Sequence, residues 1–250
     1  MSFTYIPAGK VECSECPLRR LHAFRPFTSE ELRFMMSFKT GELLINRGTT
    51  LLVEGSHSAH LYTLLSGFAF RYKLLEDGRR QILNYAMPGD LIGLQGTLMG
   101  EMQHSVESLT AVRLCVFERG RIEELYARHP GLAYDMTWIA AREERILDEH
   151  LLSIGRRTAI ERAAYLLAFL TVKSAQTGYA QEEPAVLPLT QQHVADTLGL
   201  SIVHTNKTLR KLAAMGYIRW FERGCEVRAV EPLRQLSGWR EEAEPQRPFL

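Results

Sequence analysis

Leu189–Ile218, LTQQHVADTLGLSIVHTNKTLRKLAAMGYI, reads as two helices joined by a tight turn. Thr190 carries a hydroxyl that can accept an orphan N–H of a first helical turn. Val194 and Leu198 repeat at i, i+4 as an apolar stripe. Gly199 can take the left-handed conformation that ends a helix at little cost. Ser201 can cap a second helix with Thr205, Leu209 and Leu212 inward and His204, Asn206, Lys207 and Arg210 outward. This is the helix-turn-helix pattern, whose second helix enters the major groove of DNA. Phosphate contacts are expected from Thr190, Gln191, Ser201 and Lys211, and base contacts from Val203, His204, Asn206 and Lys207. Asparagine can bridge adenine N6 and N7, lysine can donate to guanine O6 and N7, and valine can meet a thymine methyl. Asn206 as a local cap and Lys207 as a phosphate contact are the alternatives.

Working outward, Tyr217–Glu222 and Glu226–Val230 flank Arg223-Gly224 and read as a β-hairpin wing. Upstream, Gln176–Pro188 is a polar connection and Thr158–Lys173 an Ala- and Leu-rich helix. From Pro130 to Ile154, Leu132, Met136, Ile139, Ile146, Leu147, Leu151 and Ile154 form an apolar stripe at helical spacing, interrupted by Glu143. A lone helix cannot hide such a stripe, so a symmetric second copy is expected along it. Between Lys39 and Phe117 short apolar runs alternate with glycines, and Asp77-Gly78 is a hairpin signal between Phe70–Leu74 and Gln81–Tyr85. Strands at that spacing predict a sandwich, jelly roll or barrel. Thr28 and Glu31 form a capping box for a helix to Phe38. The expected parts are a Cys-containing segment over 1–27, a β-domain over 28–129, a long helix over 130–155, a DNA-binding domain over 156–240 and a loose tail over 241–250.

The formal net charge is +1, so DNA affinity must come from a local basic face. Between Pro188 and Arg228 lie Lys207, Arg210, Lys211, Arg219, Arg223 and Arg228, against Asp196, Glu222 and Glu226. The sequence lacks an apolar run long enough to span a membrane and an apolar N-terminal leader, which predicts a cytoplasmic protein. Four cysteines there leave metal or redox roles open.

Cys13-x-x-Cys16 is compatible with a zinc knuckle, a redox-active dithiol or a cluster site. Cys115 in an apolar strand can be a small buried hydrophobe, and His22 a packed surface histidine. His57 and His60 read as parts of a solvated turn, and Cys225 has no ligand role.

Several short stretches, taken in order, resemble the CRP/FNR family of bacterial transcription regulators. They are Gly41-Glu42, Glu54-Gly55, Leu61-Tyr62 through Ser66-Gly67, Pro88-Gly89-Asp90 with Leu91-Ile92-Gly93, the long helix, Arg156-Arg157 with Ala159, Glu161-Arg162, and the final motif. The resemblance covers nearly the whole chain. It implies an α+β fold: an N-terminal β-roll of double-stranded jelly-roll, cyclic-nucleotide-binding-like type, a long dimerisation helix and a C-terminal winged helix-turn-helix. It further implies a homodimer on a pseudo-palindromic promoter site, with RNA polymerase as a partner if the protein activates. In the cyclic-nucleotide branch a Glu takes the ribose and an Arg the phosphate. Gln95 and His104-Ser105 stand there in this chain, so cyclic AMP is not expected. The FNR-like branch implies an iron–sulfur cluster of [4Fe-4S] type, sensing oxygen or nitric oxide, on Cys13, Cys16, Cys115 and, in place of a further cysteine, His22. On the recognition face Val203 and Lys207 stand where the family usually has Glu and Arg, so the half-site read is expected to differ. A DNA-binding dimer with a purely structural β-roll is the second reading. A cupin-like metalloenzyme is a third, and the scattered His57, His60 and His104 do not form the compact ligand set it needs.

Overall fold

Period-two alternation of side chains between Lys39 and Glu118 produces two sheets around a shared apolar core. The structure is a computed structural model and describes residues 3–7 (backbone only), 11–180, 184–222, 224–240 and 246–250. Across the first sheet the strands are β1 (Phe3–Pro7), β2 (Lys39–Ile45), β9 (Val112–Glu118), β4 (His60–Ser66) and β7 (Leu91–Ile92). Across the second they are β3 (Thr50–Leu52), β8 (Ser105–Ser108), β5 (Ala69–Leu74) and β6 (Arg80–Ala86). The registers show how alternation divides the core. On β9, Val112, Leu114 and Val116 join Leu52, Ala86 and Val106 in the cluster to which both sheets contribute. Cys115 and Phe117 point the other way. They meet the N-terminal segment, α1 (Ser29–Phe38), α3 (Ile122–Arg128) and the start of α4 (Pro130–Arg156). A short α2 (Leu94–Met99) follows β7.

By contacts the chain divides into two units, one holding the chain up to Arg71 with Ala86–Glu144 and Glu244–Leu250, the other Tyr72–Tyr85 with Arg145–Ala243. In the second unit α5 (Ala159–Gln176), α6 (Gln191–Leu198), α7 (Ile202–Ala214) and α8 (Val230–Ser237) accompany a sheet ordered β10 (Ala185–Leu187), β12 (Gly224–Val227), β11 (Ile218–Phe221). Most of α5 is buried, as its Ala- and Leu-rich composition requires. The capping boxes at Thr28–Glu31 and Thr158–Glu161 are formed.

The structure corrects several expectations. The N-terminal segment contributes a strand, β1, because its backbone pairs with β2 from Phe3↔Ile45 to Pro7↔Gly41. The connection before the helix-turn-helix contains β10, which pairs with β12. The wing's second strand starts at Gly224, and Val230 opens α8 rather than ending a strand; Arg223 lies outside the described residues. The tail is not loose over Gln246–Leu250, because Arg247, Pro248, Phe249 and Leu250 are buried, while residues 241–245 lie outside the described residues. Leu132 and Met136, expected on a stripe facing a second copy, are fully buried in the chain's own core against the first sheet. Ile146 is also buried, and Ile139, Leu147 and Ile154 are half-buried. Leu151 alone of that set is exposed, joined by Tyr134 and Leu152. Glu143, which interrupts the stripe, pairs with Arg71.

Candidate nucleic-acid interface and cysteine site

The two helices of the opening motif are set by caps at both ends of the turn. Thr190 Oγ1 accepts from His193 N at 3.1 Å, and Thr190 N donates to His193 Nδ1 at 3.2 Å. A histidine thus fills the place a Glu or Gln takes in a capping box. Gly199 holds φ 65°, ψ 35° at the end of α6. Arg162 Nη1 donates to Leu198 O at 3.3 Å, partnering one of the carbonyls a helix end leaves open. Ser201 Oγ accepts from His204 N at 3.3 Å and starts α7. Thr205, Leu209 and Leu212 are buried, as the spacing predicts, and so is Thr208.

The opposite face of α7 is open: Val203 is 76% exposed, and Ser201, His204, Lys207, Arg210 and Lys211 are exposed. Asn206 is half-buried, with Oδ1 buried and without a hydrogen-bond partner, so it is less free to reach a base than its neighbours. The wing contributes less charge than its composition suggests. Glu226 accepts from Arg219 at 2.7 Å and from Arg228 at 2.5 Å, and Asp196 accepts from Arg80 at 2.8 Å. Among the described residues the basic face therefore rests on Lys207, Arg210 and Lys211 of α7.

The cysteine site is built from register. Cys115 lies opposite Glu42 of β2 and Thr63 of β4. Directly opposed residues share a face of a sheet, so these side chains form one row on the side that meets the N-terminal segment. Lys39, at the start of β2, donates to Glu42 Oε1 at 2.6 Å and to Val11 O at 2.7 Å. Arg113 donates to Glu42 Oε2 at 2.5 Å. The segment after Val11 forms a 3₁₀ turn, Cys13–Glu15, with Cys16 N donating to Cys13 O at 3.4 Å. The Lys39 charge acts on all three thiols, Cys13, Cys16 and Cys115. Burial raises the Cys13 and Cys16 thiols and pushes Cys115 up to about 12, against the pull of Lys39. Lys39 itself is held above its ordinary value: burial lowers it, and Cys115 and Glu42 more than offset that. Neither Lys39, whose charge acts on all three thiols, nor its partner Glu42 was legible as a site residue in the sequence. Only the Gly41-Glu42 match hinted at them.

His22 is exposed, and its carbonyl accepts from Gln246 Nε2 at 3.0 Å. Among the described residues no three or more His, Cys, Asp and Glu side chains are arranged to hold a metal ion. The sequence-predicted set is thus not assembled as metal ligands among the described residues: Cys16 and Cys115 share one buried cluster, and Cys13 joins them only through the common influence of the Lys39 charge. Two features favour a thiolate-bound, net anionic group over a bare cation. A buried ammonium whose charge reaches the thiols repels a cation, and Thr63 Oγ1, in the same row as Cys115, is buried without a hydrogen-bond partner among the described residues. Of the positions at which a cyclic nucleotide would be held, Gln95 is exposed, His104 is buried, and Ser105 Oγ accepts from Glu54 N at 3.0 Å.

A family model for a cyclic nucleotide-binding domain matches residues 42–129, and one for a Crp-like helix-turn-helix domain matches residues 161–236. The chain is 31% identical over 223 residues to the nitrogen fixation regulation protein FixK of Bradyrhizobium diazoefficiens, covering 89% of this chain and 91% of the relative. It is 33% identical over 185 residues to the transcriptional activatory protein AadR of Rhodopseudomonas palustris, covering 74% and 75%. Among solved structures, FixK2 from Bradyrhizobium japonicum superposes with a TM-score of 0.69 at 25% identity, covering 81% of this chain and 98% of that one. None of the helices formed by the described residues is long and apolar enough to cross a membrane.

Proposed function

Since the chain belongs to the CRP/FNR family of DNA-binding transcription regulators, we propose that it acts as a homodimer whose α7 reads a promoter half-site and whose signal enters at Cys13, Cys16 and Cys115. The single observation that carries the sensor reading is that Cys16 and Cys115, about a hundred residues apart in the chain, lie in one buried cluster where the Lys39 charge acts on both. Three soft sulfur donors suit an iron–sulfur cluster of [4Fe-4S] type better than a hard ion. When bound, such a cluster supplies a centre whose integrity depends on oxygen or nitric oxide. Cys13, Cys16 and Cys115 would hold it, with His22 as a fourth donor only if the segment after Cys16 turns inward. The thiols must lose their protons on loading, and Lys39 favours that loss. The exposed residues Tyr134, Leu151 and Leu152 on α4 support pairing with a second copy. The relative described as a transcriptional activatory protein supports activation, with RNA polymerase as the further partner. A cytoplasmic location belongs to the same reading.

Protein purified without oxygen should carry iron and acid-labile sulfide and show a visible charge-transfer band, and Cys115→Ser should lose all three. Native protein that binds neither iron nor sulfide on anaerobic reconstitution would end the sensor reading while leaving the regulator intact.

For DNA, Lys207→Ala should weaken binding to the preferred site by about 1–3 kcal/mol if Lys207 reads a base. Titrations on the preferred and on scrambled duplexes at fixed salt decide this. An equal loss on both would make Lys207 a phosphate contact.

A further inference from the structure

The last five residues, Gln246–Leu250, lie on the N-terminal segment a few residues after Cys16. Arg247 N donates to Ala23 O at 2.8 Å, and Arg25 N donates to Arg247 O at 2.9 Å, which makes a parallel bridge between Phe24 and Arg247. Gln246 Nε2 donates to His22 O at 3.0 Å. The Arg247 side chain is buried beneath this strand-like pairing. It donates to Asp90 Oδ1 at 2.8 Å and to Pro88 O at 2.9 Å, with its guanidinium 4.5 Å from the centre of the Phe24 ring. Phe249 packs on Phe24 and Phe27 with ring centres 5.1 and 4.8 Å away. Leu18, Phe24, Phe249 and Leu250 belong to the same apolar cluster as Cys16 and Cys115.

We propose that Gln246–Leu250 is a releasable strap, a peptide ligand carried by the chain itself, that closes the cysteine segment against the Pro88-Gly89-Asp90 turn. Its recognition elements are those of a peptide site: main-chain pairing for affinity, an acidic and carbonyl-lined pocket for one arginine, and an aromatic slot for one phenylalanine. The groove floor is fitted to this occupant, since a Cβ on Gly89 would lie 2.3 Å from Phe24 and 2.7 Å from Arg247 Nη2. Once it is released, the buried cluster that holds Cys16 loses two of its members, Phe249 and Leu250. The proposal concerns thiol cover and does not depend on whether the cysteines hold a cluster.

The test reads alkylation of Cys13 and Cys16 residue by residue, by mass spectrometry after a timed maleimide pulse. A chain ending at Pro245 should label at Cys16 about tenfold faster than the full chain, as a locally opened segment does. The synthetic peptide Gln-Arg-Pro-Phe-Leu should restore protection, and Gln-Ala-Pro-Phe-Leu should not. A second preparation covers the case in which the shortened chain misfolds. A protease site is placed within residues 241–245 and cut after the full chain has folded. The cut pentapeptide should leave on gel filtration and Cys16 labelling should rise. If the cut tail stays bound, or leaves with labelling unchanged, or the native peptide fails to protect a folded shortened chain, Gln246–Leu250 is fixed core packing and the strap is refuted.

Discussion

Glu42→Ala lowers the free energy of unfolding by about 3–5 kcal/mol, measured by urea denaturation at neutral pH. The Glu42 side chain has no solvent exposure and binds both Lys39 and Arg113. Arg113 is partly exposed and can turn to water, whereas the Lys39 side chain is 5% exposed and cannot. The substitution therefore leaves an ammonium buried with Val11 O as its one remaining hydrogen-bond acceptor among the described residues. Removing both charges together, in Lys39→Met with Glu42→Leu, should recover most of the loss, because an apolar pair of similar size has no orphaned charge. A cost below about 1 kcal/mol for Glu42→Ala would mean that water screens the pair. The pH dependence has a definite sign. Burial raises the Glu42 carboxyl, but hydrogen bonds from Lys39 and Arg113 more than offset this and hold it below its ordinary value. Its contribution is thus present above the unfolded value of about 4.3 and disappears as pH falls through the lower folded value. The difference between native and variant should shrink over that acid range. Glu42→Ala should also lower the Cys13 and Cys115 pKa values, since it removes a negative charge that raises both and leaves the Lys39 charge acting on them.

Gly224→Ala should be nearly as damaging, at about 2–4 kcal/mol, through steric conflict rather than charge. Gly224 opens β12 with φ 141°, and a Cβ there would lie 2.1 Å from Leu187 O and 3.2 Å from Pro188 Cα. Both atoms are backbone of the stretch holding β10, so no side-chain rotation relieves the clash. Either β10 separates from β12 or the wing shifts. Gly199→Ala is the comparison, since its φ of 65° is the common left-handed conformation and its nearest atom would be Gln81 Oε1 at 3.7 Å. It should cost about 1–2 kcal/mol. Thermal unfolding of the two variants side by side checks this, and equal losses would show that β10 yields freely to the wing.

The parts of this protein written in short-range code were legible. Thr28 with Glu31, Thr190, Gly199 and Ser201 act within four residues of themselves, and each does in the structure what its chemistry requires. Asp77-Gly78 likewise joins β5 to β6. The helix-turn-helix could be read from thirty residues because its caps, its turn and its inward face all lie within them. The site residues divided differently. The exposed face of α7 follows from helical periodicity, but the half-burial of Asn206 and the pairing of Arg219 and Arg228 by Glu226 do not. Leu132 and Met136 had the right spacing for a stripe, and spacing cannot say whether a sheet or a second chain covers it.

Local propensity and the periodicities of 3.6 and 2 were enough for the order of parts, the helix-turn-helix and the three cysteines as candidates. Tertiary structure alone put Cys115 in one buried cluster with Cys16. That depends on the register of β2 against β9, and a slip of one residue would turn Cys115 toward the inter-sheet core. It alone decided, too, that the last five residues dock. Arg247, Pro248, Phe249 and Leu250 read as a polar, loose end until the groove formed by residues 22–27 and 88–90 gives the arginine an acid and the phenylalanine two rings. Contacts made across 157 or more residues of chain leave no periodic trace in either partner.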